Sequence, residues 1–270
     1  MTLKPWLAAV FASAFALGGG SATAQSNTIQ EIEKYRQGLQ DGNPAELHEM
    51  KGEELWKEKR GPKNASLEQC DLGLGAGVVK GVYAKLPRYF KDTNKVEDLE
   101  SRLVTCMITL QGFTKAEVTR RVFSSPSRPA DMEALVAYVT ALSRGAAMEV
   151  TLKHPKEKQA YQTGEKIFFH RAGPHDFACA TCHGSDNIRI RLQDLPNLTE
   201  KGAAQRAYTS WPAYRVSQGE TRSFQWRLND CFRQQRFPNL EYVSEASIAL
   251  TTYLAVNANG GKLTAPAIKR

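Results

Sequence analysis

The chain has 270 residues, with 36 Lys and Arg against 28 Asp and Glu, for a formal charge of +8. That length is too great for one small domain and comfortable for two. The positive balance favours anions and acidic partners, while nucleic acid is disfavoured because no basic run is interleaved with aromatics.

The first 24 residues read as a secretory signal peptide. Lys4 gives a positive start, Trp6 to Leu17 an apolar stretch, Gly18-Gly19-Gly20 a break, and Ala22-Thr23-Ala24 an A-x-A cleavage site. The apolar run is too short to span a bilayer and no later stretch is apolar enough, so no membrane anchor is expected. Cleavage removes Lys4, lowering the charge from +8 to +7, and leaves a chain exported to an oxidising compartment where disulfides persist. Residues 28–39 are expected to form a surface helix.

From Gly52 the chain carries the first copy of an internal repeat. Gly52-Glu53-Glu54-Leu55-Trp56 opens it, Gly61-Pro62 and Cys70 follow, and Arg102-Leu103-Val104-Thr105-Cys106 comes later. An amphipathic helix over residues 131–142 closes the copy. The segment 144–158, with Gly145 and Pro155 as breakers and several charges, reads as a linker. The second copy then begins with Gly164-Glu165-Lys166-Ile167-Phe168, followed by Gly173-Pro174 and Cys182, all 112 residues beyond their counterparts. Arg227-Leu228-Asn229-Asp230-Cys231 repeats the R-L-x-x-C pattern. The closing helix is expected over 245–256, with Tyr253 the counterpart of Tyr138.

Only the second copy holds Cys179-Ala180-Thr181-Cys182-His183, a C-x-x-C-H sequence. This is the attachment signature of a c-type haem. Two thiols on one helical turn reach the two vinyl groups of one porphyrin, and the histidine becomes the proximal iron ligand. Zinc sites and thioredoxin-like redox pairs also use C-x-x-C, but no second C-x-x-C completes a zinc site. Nor does a strand-to-helix crossover frame a redox pair. In the first copy Leu67 and Asp71 fall at the positions of Cys179 and His183, so Cys70 alone survives of the three attachment residues. The fold expected is mainly α: two cytochrome c-like domains in tandem, residues 25–150 without haem and residues 151–270 with one covalently bound haem c. The stretch Leu195–Gln225, with Trp211, Pro212, Tyr214 and Phe224, is expected to be a long loop wrapping the distal face.

Small electron-carrying cytochromes usually place a Met opposite the His. Here no Met follows Met148 and no His follows His183. Cys231, 48 residues past His183, is the soft ligand that remains. It is favoured over an open position or an amine from Lys201 or Lys262, because a thiol beside ferric iron readily loses its proton. A thiolate lowers the haem potential relative to Met, which suits a site where sulfur itself reacts better than a plain electron shuttle.

Two of the five cysteines are spent on haem. Cys70 and Cys106 would flank the haem of the first copy; with that haem gone the gap can close, and a disulfide is expected. Cys231 is then the odd thiol. Arg227, Arg233 and Arg236 lie within five residues of it, with Arg227 at i−4 on the same helical face. These cations are expected to lower the thiol pKa and to hold an oxyanion.

The stretches NASLEQCDLGLGAGVVKG, YFKDTNKVEDLESRLVTC, CATCHG and FQWRLNDCFRQQRFP together resemble the A subunits of the SoxAX cytochromes of bacterial sulfur oxidation. The resemblance runs over nearly the whole chain after the signal. It implies a periplasmic subunit paired with the small cytochrome SoxX. It also implies an L-cysteine S-thiosulfotransferase activity that oxidatively joins thiosulfate to a cysteine of the carrier protein SoxYZ. By the same resemblance Cys231 is both the axial thiolate and a persulfide-bearing catalytic cysteine. Arg227 matches the active-site arginine, His183 the proximal ligand, and Cys179 and Cys182 the thioether pair. Leu67 and Asp71 match the single-haem branch, in which a disulfide, here Cys70–Cys106, stands in place of the first haem. Two other readings stay open. A periplasmic electron-transfer cytochrome leaves the Cys231–Arg227 pairing unexplained. A tetrathionate-forming thiosulfate dehydrogenase shares His/Cys ligation but needs no carrier.

Overall fold

In chain order, the helices of the described residues are α1 (Ala45–Lys57), α2 (Leu99–Cys106), α3 (Lys115–Thr119), α4 (Asp131–Ala141), α5 (Pro155–Phe169), α6 (Cys179–His183), α7 (Lys201–Tyr208), α8 (Phe224–Gln234) and α9 (Glu245–Asn257). Helix α2 runs on into a π-helical turn, Met107–Gln111. The strands are short: β1 (Arg88–Phe90) pairs with β2 (Lys95–Glu97), and β3 (Arg189–Ile190) with β4 (Gln193–Asp194). A three-stranded sheet has β5 (Ala213–Arg215) at its centre, antiparallel to β6 (Glu220–Arg222) and parallel to β7 (Ala267–Lys269). The computed structural model describes residues 31, 34, 35, 38, 42–119, 131–190 and 193–269. The expected signal segment and most of the surface helix expected over 28–39 lie outside them. Among the described residues no helix is long and apolar enough to cross a membrane.

The repeat seen in the sequence is a repeat of helix crossings. Helix α1 buries Gly52, Leu55 and Trp56, one face at helical spacing. A Cβ on Gly52 would fall 2.0 Å from the carbonyl oxygen of Ala134 in α4. In the second half a Cβ on Gly164 of α5 would fall 2.0 Å from the carbonyl oxygen of Ala249 in α9. Only glycine lets two helix backbones approach so closely. Aromatic rings seal each crossing: Trp56 against Tyr138, centroids 6.2 Å apart, and Phe168 against Tyr253, 5.2 Å apart. The closing helices expected over 131–142 and 245–256 are α4 and α9, each within one residue of expectation.

Two expectations need correction. The stretch 195–225 is not an irregular loop, since it holds α7, β5 and β6. The segment after α4 does not swing free as a linker: Gly145 and Met148 donate backbone N–H groups to Leu263 and Gly261, and Glu149 donates to Ala84. Val150 and Asn259 exchange two further hydrogen bonds, and Met148 and Val150 are buried. Satisfying those backbone groups by pairing is what lets the segment leave solvent.

In the first half, Cys70 and Cys106 form the expected disulfide, with Cα atoms 5.6 Å apart. Leu67 is fully buried beside it. The Asp71 carboxylate accepts from the N–H groups of Gly73 and Gly75. Arg102 is buried as well. It donates to the Asp71 carbonyl, pairs with Asp92 at 2.8 Å and Glu97 at 3.2 Å, and lies over the Phe90 ring at 4.0 Å. Its charge is wholly committed to structure.

Candidate haem–thiol site

Helix α6 carries the C-x-x-C-H residues at the end of a turn fixed from both sides. Ala178 donates its N–H to Thr181 Oγ1 at 2.9 Å, closing the first turn of the helix. Upstream, Gly173, at φ +72°, packs so that a Cβ would fall 2.6 Å from the Arg236 carbonyl oxygen. Gly61 makes the same approach to Gln111 in the first half, at 2.3 Å. The turn before α6 therefore rests on the end of α8, the helix that bears Cys231.

His183 Nδ1 donates to the Pro196 carbonyl at 2.8 Å, which commits one ring nitrogen and leaves Nε2 as the unprotonated one. Burial lowers the basicity of His183, and Arg227 lowers it further against the opposing Pro196 carbonyl, so the ring is neutral. Cys179 and Cys182 are free thiols. Burial pushes the Cys179 thiol up to about 12 and raises that of Cys182. Two free thiols on one turn and an imidazole with its metal-binding nitrogen open form a donor set that fits haem c. Among the described residues no three His, Cys, Asp or Glu side chains gather to hold a metal ion.

Helix α8 starts at Ser223, whose side chain accepts the Trp226 N–H, and buries Phe224, Gln225, Trp226, Leu228 and Asp230. Cys231 is a free, partly buried thiol, electrostatically coupled to Cys179, Cys182 and Arg227. Electrostatic interactions therefore reach from Cys231 to Cys179, Cys182 and Arg227. They differ from expectation. Burial raises the Cys231 thiol; Arg227 and Arg215 pull it down, and Asp230 pushes it up. The expected depression by three arginines counted charges and left out desolvation. Arg233 is turned to Asp230 and its side chain is 71% exposed. Arg236 is exposed and sits at φ +56°.

Three residues went unrecognised. Asp230, with a side chain 4% exposed, accepts from Arg227 at 3.1 Å, Arg233 at 2.6 Å and Gln234 at 2.7 Å. Its signal was present as an acid three residues from each of two arginines on one helix. Arg215, on β5, interacts electrostatically with Arg227, Asp230 and Cys231, and the Pro196 carbonyl, in the segment after β4, orients His183. Neither carries a local sequence signal.

This arrangement is that of a cytochrome c domain, and the chain belongs to the SoxA/TsdA cytochrome c domain family, whose model matches residues 51–148 and 163–263, one segment in each half. Membership implies haem c as cofactor. The chain is 52% identical over 273 residues to the L-cysteine S-thiosulfotransferase subunit SoxA of Hydrogenophilus thermoluteolus, covering 100% of this chain and 98% of that protein. It is 31% identical over 262 residues to the subunit of the same name from Hydrogenobacter thermophilus, covering 94% and 95%. The fold matches a chain in the crystal structure of SoxXA from P. pantotrophus with a TM-score of 0.71 at 21% identity, over 88% of this chain and 84% of that one.

Proposed function

We propose that this chain is the A subunit of a periplasmic L-cysteine S-thiosulfotransferase, working with a SoxX-type cytochrome c on a carrier protein of the SoxYZ kind. The activity named for its relatives supports the reaction. The observation that carries the site is Cys231, a free thiol coupled to the C-x-x-C-H pair with Arg227 beside it. Cys179 and Cys182 would hold one haem c by thioethers, and His183 and Cys231 would be the residues that ligate its iron. When bound, that group would supply an electron acceptor and would favour the thiolate form of Cys231. The first half carries the Cys70–Cys106 disulfide in place of a second haem.

Thiosulfate is a dianion, and the positive field of the chain draws it to the site. Arg227 orients it by charge-assisted hydrogen bonds, while Asp230 holds the guanidinium in register. Cys231, bearing a persulfide whose terminal sulfur is kept through the cycle, joins that sulfur to the outer sulfur of thiosulfate as two electrons leave to the cytochrome acceptor. The carrier thiolate then takes the thiosulfate group and restores the persulfide. Over the whole reaction the carrier thiol loses its proton, a bond forms between its sulfur and the outer sulfur of thiosulfate, and two electrons leave to a cytochrome acceptor. Cys231→Ala is expected to abolish thiosulfate-dependent cytochrome reduction with the carrier present. Turnover near the wild-type rate in that variant rejects Cys231 as the reacting sulfur.

A further inference from the structure

Helix α8, which carries Cys231, is the repeat counterpart of α2, since Arg102 and Arg227 open the two copies of R-L-x-x-C. A capping side chain starts each helix, Asp98 for α2 and Ser223 for α8, and the two first turns meet inside the protein. Gln225, two residues before Arg227 and 1% exposed, makes the contact. Its Nε2 donates to the Asp98 carboxylate, and its backbone N–H donates to Glu100 Oε1 at 3.3 Å. At the other corner of the same amide, Oε1 accepts the Val243 N–H at 2.8 Å and the Ser247 hydroxyl at 3.0 Å. With two donors on its oxygen and a carboxylate on its nitrogen, the amide has one orientation. Val243 is buried and sits at φ +50°, which a β-branched residue holds only where its surroundings impose it. One side chain thus ties α8 to α2, to the connection that follows α8, and to α9.

The far end of α8 is fixed separately. The turn before α6 packs at Gly173 against the Arg236 carbonyl, and Phe237 donates its N–H to the Phe232 carbonyl at 2.9 Å. Cys231 lies between these two anchors. Helix α9 in turn crosses α5 at Gly164, and α5 leads into the turn that carries C-x-x-C-H. We infer that Gln225 is a positioning residue for Cys231, through which the half of the chain without C-x-x-C-H sets where the reacting sulfur stands. The inference rests on the function proposed above, and it gives that half a task in the reaction.

The experiment exchanges donor and acceptor across the contact. Thiosulfate-dependent reduction, ferric haem absorbance and melting temperature are measured on the haem-loaded protein with its cytochrome partner and carrier, between about pH 6 and pH 9. Gln225→Glu keeps the size of the side chain and both acceptor bonds, but sets a carboxyl against Asp98 where the amide donated. The two acids share a proton at low pH and repel once it is lost. The titratable groups around them are Glu100, Glu133, Tyr83, Tyr208 and Tyr242, and the nearby Arg222 is engaged by Glu133 and Glu220, so the added charge meets like charge. Relative to wild type at the same pH, kcat of Gln225→Glu should be close to normal at about pH 6 and about tenfold lower at about pH 9. Its ferric haem spectrum should change over the same interval, while that of wild type does not. The double variant Asp98→Asn, Gln225→Glu restores one amide and one carboxylate with their roles exchanged. It should recover kcat to within about twofold of wild type at every pH, with the wild-type spectrum. Wild-type kcat and spectrum throughout in Gln225→Glu, whatever its melting temperature, overturn the inference; with Cys231→Ala inactive, the proposed function stands. A loss of kcat that is the same at every pH, or that the double variant does not recover, assigns Gln225 a structural role and overturns the inference too. Should Gln225→Glu alone fail to fold, the double variant decides: normal kcat supports the inference, and misfolding or low kcat overturns it. Turnover retained by Cys231→Ala removes the proposed function, and the inference with it.

Discussion

Replacing the buried Gly164 by Ala should loosen the half of the chain that carries C-x-x-C-H. A Cβ there meets the Ala249 carbonyl oxygen at 2.0 Å, its carbon at 2.6 Å and Tyr253 Cβ at 2.9 Å. The obstacle is backbone, so α5 must back away from α9 and loosen the Phe168–Tyr253 and Tyr161–Tyr253 contacts. Overpacking of this kind costs about 3 kcal/mol, against a helix-propensity gain of about 1 kcal/mol for removing glycine. The net loss is about 2 kcal/mol, or a melting temperature lower by about 4–8 °C for a domain of this size. Gly202→Ala is the control, since its Cβ meets only the flexible tip of Arg206 at 3.4 Å. That variant should be neutral or up to about 1 kcal/mol more stable. Urea unfolding of both, followed by circular dichroism and haem absorbance, gives the answer. If Gly164→Ala matches wild type within about 0.5 kcal/mol, or the two variants behave alike, the crossing is not as close as described.

Two further outcomes are expected. The double variant Cys70→Ser, Cys106→Ser opens a loop whose ends are 36 residues apart, and the loop-entropy relation puts the loss at about 3–4 kcal/mol; a denaturation midpoint unmoved by reduction would contradict it. Glu100 is raised well above its ordinary range, first by burial and then by Asp98. Its contribution to stability is therefore complete below the unfolded carboxyl pKa and is lost as pH rises through the raised folded value, by up to about 1.4 kcal/mol per pH unit. Glu100→Gln should flatten that decline and be the more stable protein at neutral pH; parallel stability–pH curves would refute the reasoning.

Chemistry confined to one short segment was legible in the sequence. C-x-x-C-H announces its cofactor within five residues, and the 112-residue register carried the helix crossings because Gly52 and Gly164 meet the same backbone constraint. The Cys70–Cys106 pair followed from counting thiols. The sheet that delivers Arg215 was not legible: strands of three residues hold too few alternations to display a period of two, and β7 joins from the far end of the chain. Gly145, Pro155 and several charges read as a linker because composition reports solvent-friendly residues, not whether Leu263 and Gly261 will accept their hydrogen bonds. The Cys231 thiol was misjudged for a related reason. Arginines can be counted along a helix, whereas burial depends on everything packed over it.

Arg102 and Arg227 began as equivalent positions and have parted ways. One is walled in by Asp92, Glu97 and Phe90; the other has a single carboxylate beside it and a side chain 28% exposed. A doubled scaffold thus divides labour: at this position the half without C-x-x-C-H is answerable only to packing and can drift wherever the core still fills. On the function proposed above, the half with C-x-x-C-H keeps its guanidinium underemployed, since an acid added nearby to steady it would compete with the incoming anion.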